Sequence, residues 1–137
     1  MSENILQNII QKKIEKVDKL KKSLDLKNLD ELINKNNSYI NFKEKIENNI
    51  KNNKTSIIAE IKKASPSAGI IIDDYNPVDI AQIYLNNKAT CLSVLTEEDY
   101  FLGNLIHISK IKDKINLPIL CNCLLYTSPS PRDSSKS

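Results

Sequence analysis

Glu60 and Lys62 stand two residues apart in the run Ile57-Ile58-Ala59-Glu60-Ile61-Lys62. Side chains alternate along a strand, so Ile57, Ala59 and Ile61 share one face, and Ile58, Glu60 and Lys62 share the other. The apolar set suits packing beneath helices. The second set places a carboxylate and an ammonium together at the strand's carboxyl end, where parallel α/β sheets and barrels bind their ligands. Burying such a pair is costly unless the two charges are paired or used. The plainer reading is a strand-end ion pair facing solvent.

Two further stretches carry polar groups at comparable places. Lys63-Ala64-Ser65-Pro66-Ser67-Ala68-Gly69 follows the first strand as a loop. Its hydroxyls, backbone N–H groups and lysine form an inventory able to hold a phosphate or carboxylate. The GxxxxGK[ST] spacing of a P-loop is absent, and an ordinary turn fits as well. Cys91-Leu92-Ser93-Val94-Leu95 reads as a second strand, with Cys91, Ser93 and Leu95 on one face. It runs into Thr96 to Gly103, where Phe101 is placed either to cover an apolar ring or to plug a core. His107, the only histidine, has no acid–base partner in view and reads as a surface residue.

The elements that must position these residues are legible from periodicity. Leu6, Ile10, Ile14, Val17, Leu20 and Leu24 form one helical stripe, with Lys12, Lys13, Lys16 and Lys19 largely outside it as a solvated face. Shorter helices are expected over Leu29–Ile33 and from about Asn41 to Lys51. Asn76 and Pro77 start a helix that runs to Asn87, with Val78, Ala81, Ile83, Tyr84 and Leu85 as its apolar face. Asn104 to Ile115 reads as another helix, and Leu117-Pro118-Ile119-Leu120 begins a third strand. Strand and helix alternating at this spacing predict parallel strands joined by crossovers.

These residues bring a resemblance into view. Ile57 through Ser67 is similar to the signature of the indole-3-glycerol phosphate synthase family. Asp73-Asp74-Tyr75-Asn76-Pro77 through Tyr84, and then Leu92 through Gly103, resemble the family's following helix, strand and loop in order and spacing. The opening Ile5 to Val17 is similar to the helical segment that precedes the family's barrel. The resemblance implies an α/β fold: the N-terminal part of a (βα)8 TIM barrel preceded by an extra helical segment. It also implies a lyase. The substrate would be 1-(2-carboxyphenylamino)-1-deoxyribulose 5-phosphate, and the product indole-3-glycerol phosphate, with loss of carbon dioxide and water and with neither metal nor organic cofactor. On this footing Glu60 and Lys62 are the catalytic pair, Lys62 binding phosphate and handling a proton while Glu60 orients it. Ser65 contacts substrate, Phe101 packs against its aromatic part, and Ser93 and Leu95 line the pocket.

The departures from the family are informative. Ala68 stands where it usually has lysine, and Lys88 where it usually has glycine. Asn122, in Cys121-Asn122-Cys123, occupies the place of the family's general-acid lysine, and an amide cannot deliver a proton as an ammonium does. The expected organisation is therefore residues 1–55 as a helical extension, 56–120 as the first βα units, and 121–137 as a non-native or disordered tail. That tail holds five serines and the chain's single arginine, Arg132. The 137-residue chain itself is expected to be inactive.

Composition narrows the rival readings. A net charge of +3 is mild and does not point to nucleic acid. No apolar run approaches the ~18 residues of a membrane span, and Met1-Ser2-Glu3-Asn4 lacks the layout of a signal peptide, so a cytoplasmic protein with no membrane partner is expected. Three cysteines form no secreted-type framework, and a zinc site at Cys121/Cys123 would need two more ligands. The partner expected is a small phosphorylated substrate. Two alternatives remain: another phosphate-binding barrel, such as phosphoribosylanthranilate isomerase, and a Lys-rich helical module that docks nucleic acid or a partner helix.

Overall fold

Asn76 caps a helix as its residue type suggests: its side-chain oxygen accepts the N–H groups of Val78 and Asp79 at 3.1 and 3.3 Å, and Pro77 fills the first turn. In the computed structural model, which describes residues 2–35 and 38–123, this helix is the first crossover of a parallel sheet. The expected tail, apart from residues 121–123, lies outside the described residues.

The element order is α1 (Ser2–Ser23), α2 (Leu26–Lys35), α3 (Phe42–Lys51), β1 (Ile58–Ile61), β2 (Ala64–Ser65), β3 (Gly69–Ile70), α4 (Pro77–Asn86), β4 (Cys91–Leu95), α5 (Leu105–Lys112) and β5 (Ile119–Asn122). Among the described residues the chain divides into two units, residues 2–33 and 34–123. The first carries α1 and most of α2. On α1, Leu6, Ile14 and Leu20 are exposed and Ile9 is buried.

The second unit holds the sheet, in the order β1-β4-β5, with both pairings parallel. Because β4 is central, all five of its residues are buried, whereas β1 and β5 each have a single neighbour among the described residues. Ala59 and Ile61 of β1 pack with Leu92 and Val94 of β4 against Ala81 of α4 and Ile111 of α5, and Ile115 and Leu117 close the same core. The sheet's opposite face carries Ile58, Glu60, Ser93, Leu95, Leu120 and Asn122. At the sheet's amino-terminal end, the Asn49 amide of α3 donates to the hydroxyls of Ser56 and Thr90 at 3.1 and 3.2 Å.

Three expectations change. The core-facing side of α4 does not include Ile83, which is 58% exposed; Val78, Ile80, Tyr84 and Leu85 pack against the core beside Ala81. This helix is apolar nearly all round, so periodicity alone could not choose its buried side. The stretch after β1 is not an open loop but a small antiparallel hairpin, pairing Ala64 with Ile70 and Ser65 with Gly69. Gly69 adopts φ +67°, a backbone conformation a side chain would resist. His107 is half-buried rather than a fully solvated surface residue, as described below. Lys88, just past the end of α4, also has a left-handed φ of 65°. Helix ends favour glycine in this conformation, so the strain falls where the resembled family usually has one.

Candidate active site at the carboxyl end of the sheet

Strand register brings the candidates together before any side-chain contact is considered. Glu60 lies opposite Ser93, and Ser93 opposite Leu120, so the three form one row across the sheet. Leu95 and Asn122 form the next row toward the strands' carboxyl ends, level with Lys62, one residue beyond β1. All share the face turned away from the helical core. Lys62 Nζ lies 2.9 Å from Glu60 Oε1, with side chains 30% and 45% exposed. The ion pair expected from sequence is formed, and solvent reaches it. The Asn122 amide approaches the Ser93 hydroxyl at 3.5 Å.

The backbone around Glu60 is also engaged. Ile57 C=O accepts the N–H groups of Thr90 and Cys91, so alternation along β1 sends the Glu60 carbonyl to the strand's unpaired side. There it accepts the Tyr84 hydroxyl of α4 at 2.9 Å. A helix side chain thus occupies an acceptor that an edge strand would otherwise leave to solvent or to another chain.

Ser65 and Phe101 sit in segments that leave the sheet at this same end. Ser65 Oγ accepts the Ala68 N–H at 3.2 Å and lies 3.4 Å from Ser67 Oγ, so it is held within its own turn. Among the described residues no hydrogen bond or ion pair joins Ser65 or Phe101 to Glu60 or Lys62. Phe101 is half-buried in the loop 96–103, and the organiser of that loop is a residue sequence reasoning missed. Glu97, 1% exposed, turns its carboxylate back onto the chain: Oε1 accepts Asp99 N–H at 3.1 Å, and Oε2 accepts Tyr100 and Phe101 N–H at 2.7 and 3.1 Å. Its own carbonyl accepts Gly103 N–H at 2.7 Å, closing the loop. A Cβ on Gly103 would collide with the Leu95 carbonyl, and Leu102 beside it has a left-handed φ of 52°. In the acidic run Glu97-Glu98-Asp99 the sequence offers no sign of which carboxylate turns inward.

His107 lies on α5 with its ring edge-on to Tyr75, centroids 5.6 Å apart, and its Nδ1 is buried without a hydrogen-bond partner among the described residues. Burial lowers its pKa, and the nearby Lys110 and Lys63 lower it further. Burial pushes the Tyr75 hydroxyl up to about 12. Cys91, wholly buried in β4, has its thiol pushed up by burial, with Lys45 acting in the opposite direction.

A cleft of about 390 Å³ lies elsewhere. Its lining includes Tyr39, Ile108, Ile115, Ile119 and Cys121. Ile119 and Cys121 pair with Leu92 and Val94, so the cleft is on the helix side of the sheet, away from Glu60 and Lys62. Among the described residues no group of three or more His, Cys, Asp or Glu side chains could hold a metal ion, and no helix is long and apolar enough to cross a membrane.

A sequence profile of the indole-3-glycerol phosphate synthase family matches residues 6–129. The chain is also similar to curated indole-3-glycerol phosphate synthases. That of Clostridium acetobutylicum is 47% identical over 115 residues, 84% of this chain and 39% of that protein. That of Trichodesmium erythraeum is 38% identical over 122 residues, 89% and 40% of the two chains. That of Aliarcobacter butzleri is 41% identical over 116 residues, 85% and 44%. The chain spans about 40% of the length of these curated relatives.

Proposed function

This chain belongs to the indole-3-glycerol phosphate synthase family, and from that membership we propose that it is the N-terminal part of a (βα)8 lyase that makes indole-3-glycerol phosphate in tryptophan biosynthesis. The substrate is 1-(2-carboxyphenylamino)-1-deoxyribulose 5-phosphate, closed to the indole ring with loss of carbon dioxide and water. The observation that carries the reading is the Lys62–Glu60 pair, 2.9 Å apart, on the same sheet face as Ser93 and Leu95. In this reading α1 to α3 are the extra segment before the barrel, and β1, β4 and β5 are its first three barrel strands.

Ring closure needs acid assistance at a ketone oxygen and a positive field for a carboxylate and a phosphate. Lys62 supplies both a mobile ammonium and positive charge, and Glu60 holds that ammonium in place. The open exposure of the pair suits a group awaiting the walls of a closed pocket. Ser93 and Leu95 line the floor beside it, Ser65 contacts substrate from the hairpin, and Phe101 covers the aromatic ring. Asn122 stands in the row above Ser93, where the family places its general-acid lysine, and its amide cannot act in that role. The cleft beside Ile119 and Cys121 is the space a helix following β5 would fill, since a parallel strand is followed by a crossover packed on that face.

The test is a completed barrel, in which residues 1–120 are followed by the remaining strands of the Clostridium acetobutylicum relative. It should convert the carboxyphenylamino-deoxyribulose phosphate to the indole product, followed by indole fluorescence, while the 137-residue chain alone should not. A folded completed barrel without turnover would refute the assignment.

A further inference from the structure

Glu97 is a carboxylate buried to 1% exposure in a loop at the edge of the proposed site, and its burial calls for an explanation. Removing Glu97 from water is expensive, and the N–H groups of Asp99, Tyr100 and Phe101 that converge on it offset that expense. Three consecutive donors from positions two, three and four residues onward bend the chain into one shape. The Gly103 N–H to Glu97 C=O bond then seals the loop at its base. The loop also tolerates Leu102 in a left-handed conformation, which persists only where surrounding contacts dictate the backbone. An ordinary surface connection would need none of these features. The residue at the end of the carboxylate's reach is Phe101, whose own N–H is the last of the three donors.

We propose that Glu97 is the positioning residue of this site: its buried carboxylate clamps the loop 97–103 so that Phe101 is pre-set at the carboxyl end of the sheet to receive the aromatic part of the substrate. The proposal rests on the function assigned above. It adds that the aromatic contact is held rigid before substrate arrives, so that no binding energy is spent ordering the loop.

Glu97→Gln is the informative variant. It keeps the side chain's size and one oxygen, but turns an NH₂ group toward a backbone N–H where an acceptor stood. In the 137-residue chain, amide exchange at Asp99, Tyr100 and Phe101 should speed up by about tenfold or more, the scale set by losing a charge-assisted hydrogen bond. Exchange at Leu92, whose N–H is held by the Pro118 carbonyl, should stay unchanged. Unaltered exchange in the loop overturns the clamp. Loss of protection throughout β4 also overturns it, by making Glu97 a residue of the whole fold.

In the completed barrel, Glu97→Gln should raise KM by about tenfold with kcat within about twofold, the pattern of lost substrate binding. The same change made beside Phe101→Ala should raise KM no further, because Glu97 acts only through that ring. Additive effects of the two substitutions would overturn the proposal, as would an unchanged KM in Phe101→Ala. The exchange measurement needs no turnover, so failure of the clamp and failure of the catalytic assignment are read separately.

Discussion

Replacing Lys62 by Met separates what the ion pair contributes to folding from what it contributes to chemistry. Methionine keeps the apolar stem and removes only the charge. The pair is close, at 2.9 Å, but its side chains are 30% and 45% exposed. Water therefore screens the attraction, and exposed pairs of this kind are worth about 0.2–1 kcal/mol. No other ion pair of Lys62 is seen among the described residues. Urea unfolding of the 137-residue chain, followed by far-ultraviolet circular dichroism, should therefore shift by less than about 1 kcal/mol. A positioned proton-handling group contributes about 10²- to 10⁴-fold to a reaction, which corresponds to about 3–5 kcal/mol of barrier. In the completed barrel, kcat/KM should fall by that factor while the unfolding midpoint barely moves. A stability loss above about 2 kcal/mol together with turnover within tenfold of the parent would refute the reasoning. Lys62 would then be a structural strand-end residue, the plainer reading its spacing also allowed.

Two further predictions test the core and its pH dependence. Ile61→Ala removes a side chain with no exposed surface and should cost about 2.5–4 kcal/mol by urea unfolding, whereas Ile83→Ala, at a position 58% exposed, should cost about 1 kcal/mol or less; equal costs would mean that α4 presents a different side to the sheet. His107 has its pKa lowered in the fold, first by burial and then by Lys110 and Lys63. Below the ordinary histidine value of about 6.5 the unfolded chain takes up a proton that the folded chain resists. Stability should thus be highest above that value, and it should fall as pH drops until the folded His107 is itself protonated. His107→Phe, which keeps a ring against Tyr75, should flatten this slope between pH 5 and 7, and an unchanged slope would assign the loss to other groups.

The legible parts of this molecule are those decided by neighbours in sequence. β4 was readable to the residue because Cys91 to Leu95 is a short apolar run bounded by polar residues, and a central strand is buried on both faces. Asn76-Pro77 announced the start of α4 by side-chain chemistry that acts over three residues. The Glu60/Lys62 pairing followed from alternation alone. What stayed hidden depends on distant parts of the chain. The hairpin at residues 64–70 has two-residue strands, too short for any periodic pattern, and it turns on the φ of Gly69. Ile83 was indistinguishable from Ile80 because only the sheet's position decides which of them is covered. Glu97 is buried and His107 half-buried by tertiary closure, and a string of acids or a lone imidazole on a helix reads as solvated until its surroundings are known.

The bond from Tyr84 to the Glu60 carbonyl has a meaning for how such a protein is made. A ribosome adds about 5–20 residues per second, so in relatives whose length this chain spans to about 40%, the rest emerges over roughly 10–40 s at that pace. Throughout that interval the first strands wait with an open edge on either side. On the proposed barrel reading, Tyr84 would serve as a placeholder on one of them, occupying an acceptor open to a stray strand from another nascent chain. On the same reading, ring closure would be an exchange of partners at Glu60, with the phenol yielding its acceptor to the last strand.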